Sequence, residues 1–260
     1  MARIYPLFSS SKGNAVFVGT PESGILIDCG VSARRLTKKL EECGIPIAAI
    51  QGIFITHDHM DHVSGLRVFV RKNPGTVYAE PVTRKNLYAA HYLEQDAVCE
   101  ELTGTIRCGG ITVTPFATSH DTSQSCGYRL EMPDGRCCAV CTDLGYVSET
   151  VHAAIQGCHL VLLEANYDAD MLRRGPYPPY LKERIASQHG HLSNEECGAE
   201  AASLIAGGTT HFVLGHLSQE NNLPAAAEQT VMQYLSGYQR GKDYLLDVAA
   251  PESEGRMIVF

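Results

Sequence analysis

The stretch Thr56-His57-Asp58-His59-Met60-Asp61-His62 constrains this chain more than any other. It follows the apolar run Gly52-Ile53-Phe54-Ile55, whose β-branched residues read as a buried strand. The strand is expected to end at Thr56, give way to a short loop and lead into a helix starting near Asp61. His57 and His59 stand two residues apart in extended chain. Their side chains therefore point the same way and reach one metal ion. Asp61 and His62, adjacent at a helix start, turn toward a second ion beside the first. Imidazole and carboxylate without thiolate suit Zn, Mn or Fe better than Cu(I) or an iron–sulfur cluster. One histidine alone would pass as an ordinary loop residue. Four ligand-type side chains at this spacing do not.

The 260 residues hold no repeat and no low-complexity tract, which fits a single domain over residues 1–260 with a substantial core. The net charge of −8 gives no general attraction to nucleic acid, so binding of that kind needs a local basic patch. The start, Met1-Ala2-Arg3-Ile4-Tyr5-Pro6, has no signal-peptide core, and no apolar run approaches a membrane span. The ten cysteines, several of them inside strand-like runs, read as reduced, buried thiols. The expected location is therefore cytoplasmic, with no membrane partner. The run Cys137-Cys138-Ala139-Val140-Cys141 lacks zinc-knuckle spacing and alternates faces along a strand, so packing outranks a metal or redox role.

Along the chain, residues 3–8 read as a strand, followed by a polar loop from Ser9 to Asn14 containing Ser10 and Ser11. That loop is an ordinary turn or an anion cradle. Residues 15–18 and 24–29 read as a hairpin pair. Asp28 closes its second strand, and a carboxylate there needs a partner; the second nitrogen of a ligand histidine would supply one. Ser32 caps a helix to Glu42, a second helix runs from Asp61 toward Lys72, and a third from Pro81 to Tyr92 carries His91 in no site-like context. A meander over 105–141 places His120 and Asp143 just beyond strand ends. A buried strand at 158–163 ends in Glu164. A Pro-rich loop at 174–180 leads to a short helix, and Ser193 with Glu196 forms a capping box for a helix to Ala206. A strand at 210–214 delivers His216, and a helix from Pro224 to Tyr238 and two short strands follow. Two strand-rich halves with helices give an α/β, four-layer αββα sandwich with the candidate ligands on one edge.

The order His57-His59-Asp61-His62, His120, Asp143, His216 resembles the metal-ligand order of the metallo-β-lactamase superfamily over essentially the whole chain. The resemblance implies one divalent ion on His57, His59 and His120. It implies a second on Asp61, His62 and His216, with Asp143 bridging and Asp28 behind the ligands. Two such ions, roughly 3.5–4 Å apart, make a bridging hydroxide available as nucleophile at neutral pH. The segment Leu162 to Tyr167 with Glu164, and His191 ahead of a capped helix, is similar to the Glu–His pair of ribonuclease Z, which protonates a leaving oxygen. Asp61, Glu164 and His191 are thus the catalytic candidates.

The phrases Gly190-His191-Leu192-Ser193-Asn194 and Gly215-His216-Leu217-Ser218-Gln219-Glu220-Asn221-Asn222, with the serine loop, look closest to the YycJ branch. That resemblance implies a metal-dependent 5′-to-3′ exonuclease on DNA. Ser10, Ser11, Asn14, Ser193, Asn194, Ser218 and Asn221 are then candidates for phosphate or substrate contact. Arg173, Arg174, Lys182 and Arg184, interleaved with Tyr177 and Tyr180, offer backbone and base contacts or a merely solvated face. The segment between Asp143 and His216 is too short for the inserted domain of ribonuclease J. The competing readings are a small-molecule phosphodiesterase and a glyoxalase II-like thioester hydrolase with the same metal site. His59 argues against a diiron redox protein, and the full ligand set argues against a non-catalytic scaffold.

Overall fold

The computed structural model describes residues 2–260. The first half contains β1 (Arg3–Ser10), β2 (Gly13–Gly19), β3 (Gly24–Ile27), α1 (Ala33–Glu42), β4 (Ile50–Ile55), α2 (Met60–Val63), α3 (Leu66–Lys72), β5 (Val77–Ala79), α4 (Pro81–Ala89) and β6 (Cys99–Glu101). The meander follows as β7 (Ile106–Cys108), β8 (Ile111–Ala117), β9 (Cys126–Glu131) and β10 (Cys137–Cys141). The remainder is α5 (Glu149–Ile155), β11 (Leu160–Glu164), α6 (Ala169–Arg174), α7 (Pro179–Ile185), α8 (Asn194–Ala206), β12 (His211–Gly215), α9 (Pro224–Tyr234), β13 (Leu245–Val248) and β14 (Ile258–Val259).

Among the described residues the strands form two seven-stranded sheets, ordered β14-β1-β2-β3-β4-β5-β6 and β13-β12-β11-β10-β9-β8-β7. Each sheet is antiparallel on one side and parallel on the other: β3, β4, β5 and β6 run parallel, as do β10, β11, β12 and β13. Alternation along the strands sorts side chains into three apolar layers. Ile25 and Ile27 face Val140 and Leu162 between the sheets. Leu26 faces outward with Leu36 of α1 and Phe69 of α3. Ala139 and Cys141 face the opposite outer layer with Leu204 of α8 and Val231 of α9. The result is the four-layer αββα sandwich that the element order leads one to expect. Tyr128, fully buried between the sheets, donates its hydroxyl to the Ile55 carbonyl at 2.6 Å, tying the second sheet to the end of β4.

Several local expectations need correction. The polar loop after β1 is a two-residue turn, because Ser9, Ser10 and Asn14 pair across β1 and β2. The helix expected over 61–72 is broken at Ser64–Gly65. A Cβ on Gly65 would lie 1.9 Å from the Val31 carbonyl oxygen, so the chain passes that carbonyl only without a side chain. The stretch before the Pro-rich loop forms α6, whose N-terminus Asp168 caps by accepting from Met171 N at 2.8 Å. His91 is exposed with φ 58°, two residues beyond the end of α4.

Candidate metal centre

The C-terminal ends of parallel strands form one crevice, where open α/β sheets gather their ligands. β3 ends just before Asp28, β4 two residues before His57, β10 before Asp143, β11 in Glu164 and β12 before His216, while β8 leads to His120. Asp28, Asp143 and His216 have φ of 62°, 61° and 54°. The left-handed region costs a residue with a Cβ about 1 kcal/mol or more, so surrounding contacts must hold these turns. One such contact is Ser9 Oγ, which accepts from His216 N at 2.8 Å.

Four imidazoles are oriented by what their Nδ1 atoms touch. His62 Nδ1 lies 2.8 Å from Asp28 Oδ2, and His216 Nδ1 lies 2.6 Å from Glu164 Oε1. His120 Nδ1 lies 3.0 Å from the Gly190 carbonyl, and His57 Nδ1 lies 3.1 Å from Thr56 Oγ1. Carboxylates and carbonyls only accept, so Nδ1 carries the proton in the first three. The Thr56 hydroxyl donates to Asp28 at 2.9 Å, which leaves its lone pairs for His57 Nδ1–H. Each ring therefore turns its Nε2 inward, the atom that metal-ligating histidines offer.

The inward atoms converge. His120 Nε2 is 3.2 Å from His59 Nδ1, and the His57 ring packs 4.6 Å from His59 and 5.1 Å from His120. Asp61 Oδ2 lies 3.5 Å from both His62 Nε2 and His216 Nε2. Asp143 stands between the two groups, with Oδ2 3.4 Å from His62 Nε2 and Oδ1 3.6 Å from His120 Nε2. Donor atoms of His57, His59 and His120 lie within 4.8 Å of one another, as do those of His57, His62 and Asp143 and those of Asp61, His62 and His216. His57 Nε2 and Asp143 Oδ2 are buried without any hydrogen-bond partner. Such orphans cost roughly 1–3 kcal/mol each, and a cation among them removes that cost. The residues present fit divalent metal binding.

Charge follows the same layout. Burial pushes the Asp143 carboxyl up, but His216, His62, His57 and His120 outweigh it and hold it well below the carboxylate range. Burial, reinforced by neighbouring histidines, drives His57 well below its ordinary value. Burial also disfavours ionised Glu164, yet His191 and His216 bring it to about 2. Glu164 is fully buried and fully used: Oε2 accepts from Leu144 N and Leu192 N at 2.9 and 3.0 Å, and Oε1 meets both His216 and His191. His191 Nδ1 sits 3.0 Å from Glu164, leaving Nε2 without a hydrogen bond among the described residues.

The expected substrate residues are placed unevenly. Ser11 is exposed on the β1–β2 turn, whereas Ser10 is buried with its Oγ accepting from Lys12 N. Asn14 is buried against the cluster, its Nδ2 3.3 Å from Asp61 Oδ2 and 3.1 Å from His62 Nε2. Ser193 completes the capping box with Glu196, and buried Asn194 bonds Asn222. Ser218 Oγ accepts from Glu220 N and Asn221 N, and Asn221 is wholly buried. Ser193, Asn194 and Ser218 brace the turn after β12 and the start of α8, whereas Asn221 is buried with both Oδ1 and Nδ2 lacking a hydrogen-bond partner. Of the basic candidates, Arg173 pairs with Asp170 and Arg184 with Asp121.

Three functional neighbours escaped sequence reasoning. Thr56 links Asp28 to His57, and Ser9 holds His216. Asp121 lies with Oδ1 3.3 Å from His120 Nε2 and its other oxygen on Arg184 of α7. Its position next to His120 was the available signal.

A model of the β-lactamase superfamily domain matches residues 24–217. Exodeoxyribonuclease YycJ of Bacillus anthracis is 35% identical over 231 residues, covering 88% of this chain and 87% of the relative. Exodeoxyribonuclease WalJ of Streptococcus pneumoniae serotype 2 (strain D39) is 36% identical over 235 residues, with coverage of 88% and 87%. In fold, the chain is like the metallo-β-lactamase fold protein YhfI from Bacillus subtilis. Their TM-score is 0.75 over 99% of this chain and 98% of that one, at 15% identity.

Proposed function

Because the chain belongs to the metallo-β-lactamase superfamily, within its YycJ-like branch, we propose that it is a dinuclear metal-dependent phosphodiesterase acting as a 5′-to-3′ exonuclease on DNA. The names of the relatives at 35–36% identity support the substrate class. The unit that carries the activity is the single domain of residues 1–260.

Two divalent cations, Zn, Mn or Fe by the donor set, would be held by His57, His59 and His120 on one side and Asp61, His62 and His216 on the other. Asp143 has one oxygen toward each group and would serve both. When bound, the pair supplies a water activated at neutral pH and positive charge for the phosphoryl oxygens. Asp28, Thr56 and Glu164 hold the imidazoles in the tautomer that offers Nε2 inward.

One observation carries the choice of reaction: Glu164 grips His191 by Nδ1 and leaves Nε2 free beside the cluster. The buried carboxylate accepts from Nδ1–H and orients the ring, so Nε2 is the atom that would deliver a proton to an alkoxide leaving group. A thiolate leaves without such help, so a thioester hydrolase has no need of the arrangement. The exposed Ser11–Lys12 turn and Arg184 stand as contacts for the nucleic-acid backbone. No helix among the described residues is long and apolar enough to cross a membrane, and the free thiols support a cytoplasmic setting.

The test is cleavage of matched 5′-phosphorylated single-stranded DNA and RNA with Mn or Zn supplied, beside a thioester. Stepwise loss of nucleotides from the 5′ end of DNA is expected. Thioester turnover with no action on either nucleic acid would overturn the reading.

A further inference from the structure

The proposed reaction leaves one cluster at the opposite edge of the second sheet unused. β10 and β11 are parallel neighbours, with Cys138 opposite Leu160. At their N-terminal ends His159 N donates to the Cys137 carbonyl at 2.8 Å, and Cys137 N donates to His159 Nδ1 at 3.1 Å. This two-point clamp fixes Cys137 beside Cys158. Their sulfurs lie 3.1 Å apart, about 1 Å beyond a covalent S–S bond. Cys158 precedes β11 and is one residue out of register with Cys137, so the short sulfur separation itself places the pair within reach of a bond. Cys138 faces the core between the sheets, so Cys137 alone of the Cys137–Cys138 pair faces Cys158.

The surroundings are those of a reactive pair. Arg129 Nη1 lies 3.4 Å from Cys158 Sγ and is pinned by the carbonyls of Ala154 and Gln156. Cys137 lines a cavity of about 430 Å³ together with Arg107, Arg129, Glu131 and His159. The hydrogen bond to Cys137 and burial push the Cys158 thiol well up, with Arg129 opposing them, so Cys137 is the attacking sulfur and the Arg129 charge suits an anionic reactant. The hydrogen bond from Cys158, and then Arg129, lower the Cys137 thiol's pKa despite its burial.

We propose that Cys137 and Cys158 form an oxidisable dithiol that reacts with low-molecular-weight anionic disulfides, glutathione disulfide being the probe, and closes an intramolecular disulfide. The Cys137 thiolate attacks one sulfur of the probe, forming a mixed disulfide and releasing one thiolate. Cys158 then attacks the Cys137 sulfur, and its proton leaves with the second glutathione, released as the free thiol. The probe is reduced by two electrons and the dithiol is oxidised by two. Asp143 and Glu164 leave the far ends of the same two strands, so the bond forms away from the metal ligands.

The experiment treats the folded protein with glutathione disulfide, alkylates the remaining thiols in denaturant and maps the peptides by mass spectrometry. A Cys137–Cys158 cross-linked peptide, reversed by dithiothreitol, is expected, with both thiols absent from the alkylated set. Cys158→Ser should instead accumulate the glutathione adduct on Cys137, and Cys137→Ser should leave Cys158 reduced. Half-buried Cys43 is the internal control for reagent access. Modification of Cys43 with Cys137 and Cys158 both still alkylated would overturn the proposal, as would a wild-type disulfide that pairs either one elsewhere.

Discussion

Glu164→Gln conserves volume and removes one buried charge. An amide oxygen at the Oε2 position keeps the two backbone N–H bonds from Leu144 and Leu192. The amide NH₂ then faces Nδ1 of both His216 and His191, which now carry protons. Each ring must move its proton to Nε2 or lose the bond, and a proton on His216 Nε2 blocks a cation ligand. The wild-type carboxyl is brought from 4.5 to about 2 because His191 and His216 outweigh its burial. At about 1.4 kcal/mol per pH unit this is roughly 3 kcal/mol of stability. The folded value lies below the ordinary one. The stabilisation is therefore complete above pH 4.5 and drains away as pH falls toward 2. Urea unfolding of the cation-free proteins should show the variant about 3 kcal/mol less stable at pH 7, with the gap closing through that acid window. DNA cleavage should fall by about 10²–10⁴, the usual worth of a positioned acid. Equal stability at pH 7 together with unaltered cleavage would refute the reasoning.

Other perturbations separate the parts of the site. His191→Ala should slow DNA cleavage by about 10²-fold or more while sparing an aryl phosphodiester, whose leaving group needs no proton; equal losses measured on both would reject the acid role. Asp61→Ala should abolish hydrolysis yet leave the circular-dichroism spectrum and cooperative unfolding in place. Gly30→Ala should lower the melting temperature and cation affinity together, because a Cβ there would lie 1.6 Å from the Asp61 carbonyl oxygen. Asp121→Asn should weaken cation binding by titration calorimetry, since one carboxylate oxygen reaches toward His120 Nε2 and the other is held by Arg184.

The ligand edge was legible because its signals are local. The histidine spacing in 57–62 sits in one loop, and Asp28, His120, Asp143, Glu164 and His216 each follow an apolar run that reads as a strand. Strand ends shared by a parallel sheet meet at one edge, so reading where strands stop was enough to gather the side chains. The capping box at Ser193 was local too, and it formed. What stayed hidden depends on contacts distant in sequence. Ser9 and His216 meet across almost the whole chain, and no pattern around either residue announces it. The serine and asparagine motifs that read as phosphate contacts have that chemistry, but Asn194 and Asn221 are wholly buried. Sequence shows that a side chain has hydrogen-bonding groups; only packing shows whether they reach solvent. The break between α2 and α3 likewise comes from a neighbouring carbonyl that helix propensity does not register.

The central claim is two cations on one chain, and counting them tests it most directly. The protein is stripped with chelator, re-equilibrated with Mn or Zn, freed of excess ion and analysed for metal and protein content. The account predicts two cations per wild-type chain and a lower content in His59→Ala, which retains the donors of the other group. A wild-type chain that holds one cation or none under these conditions would contradict it.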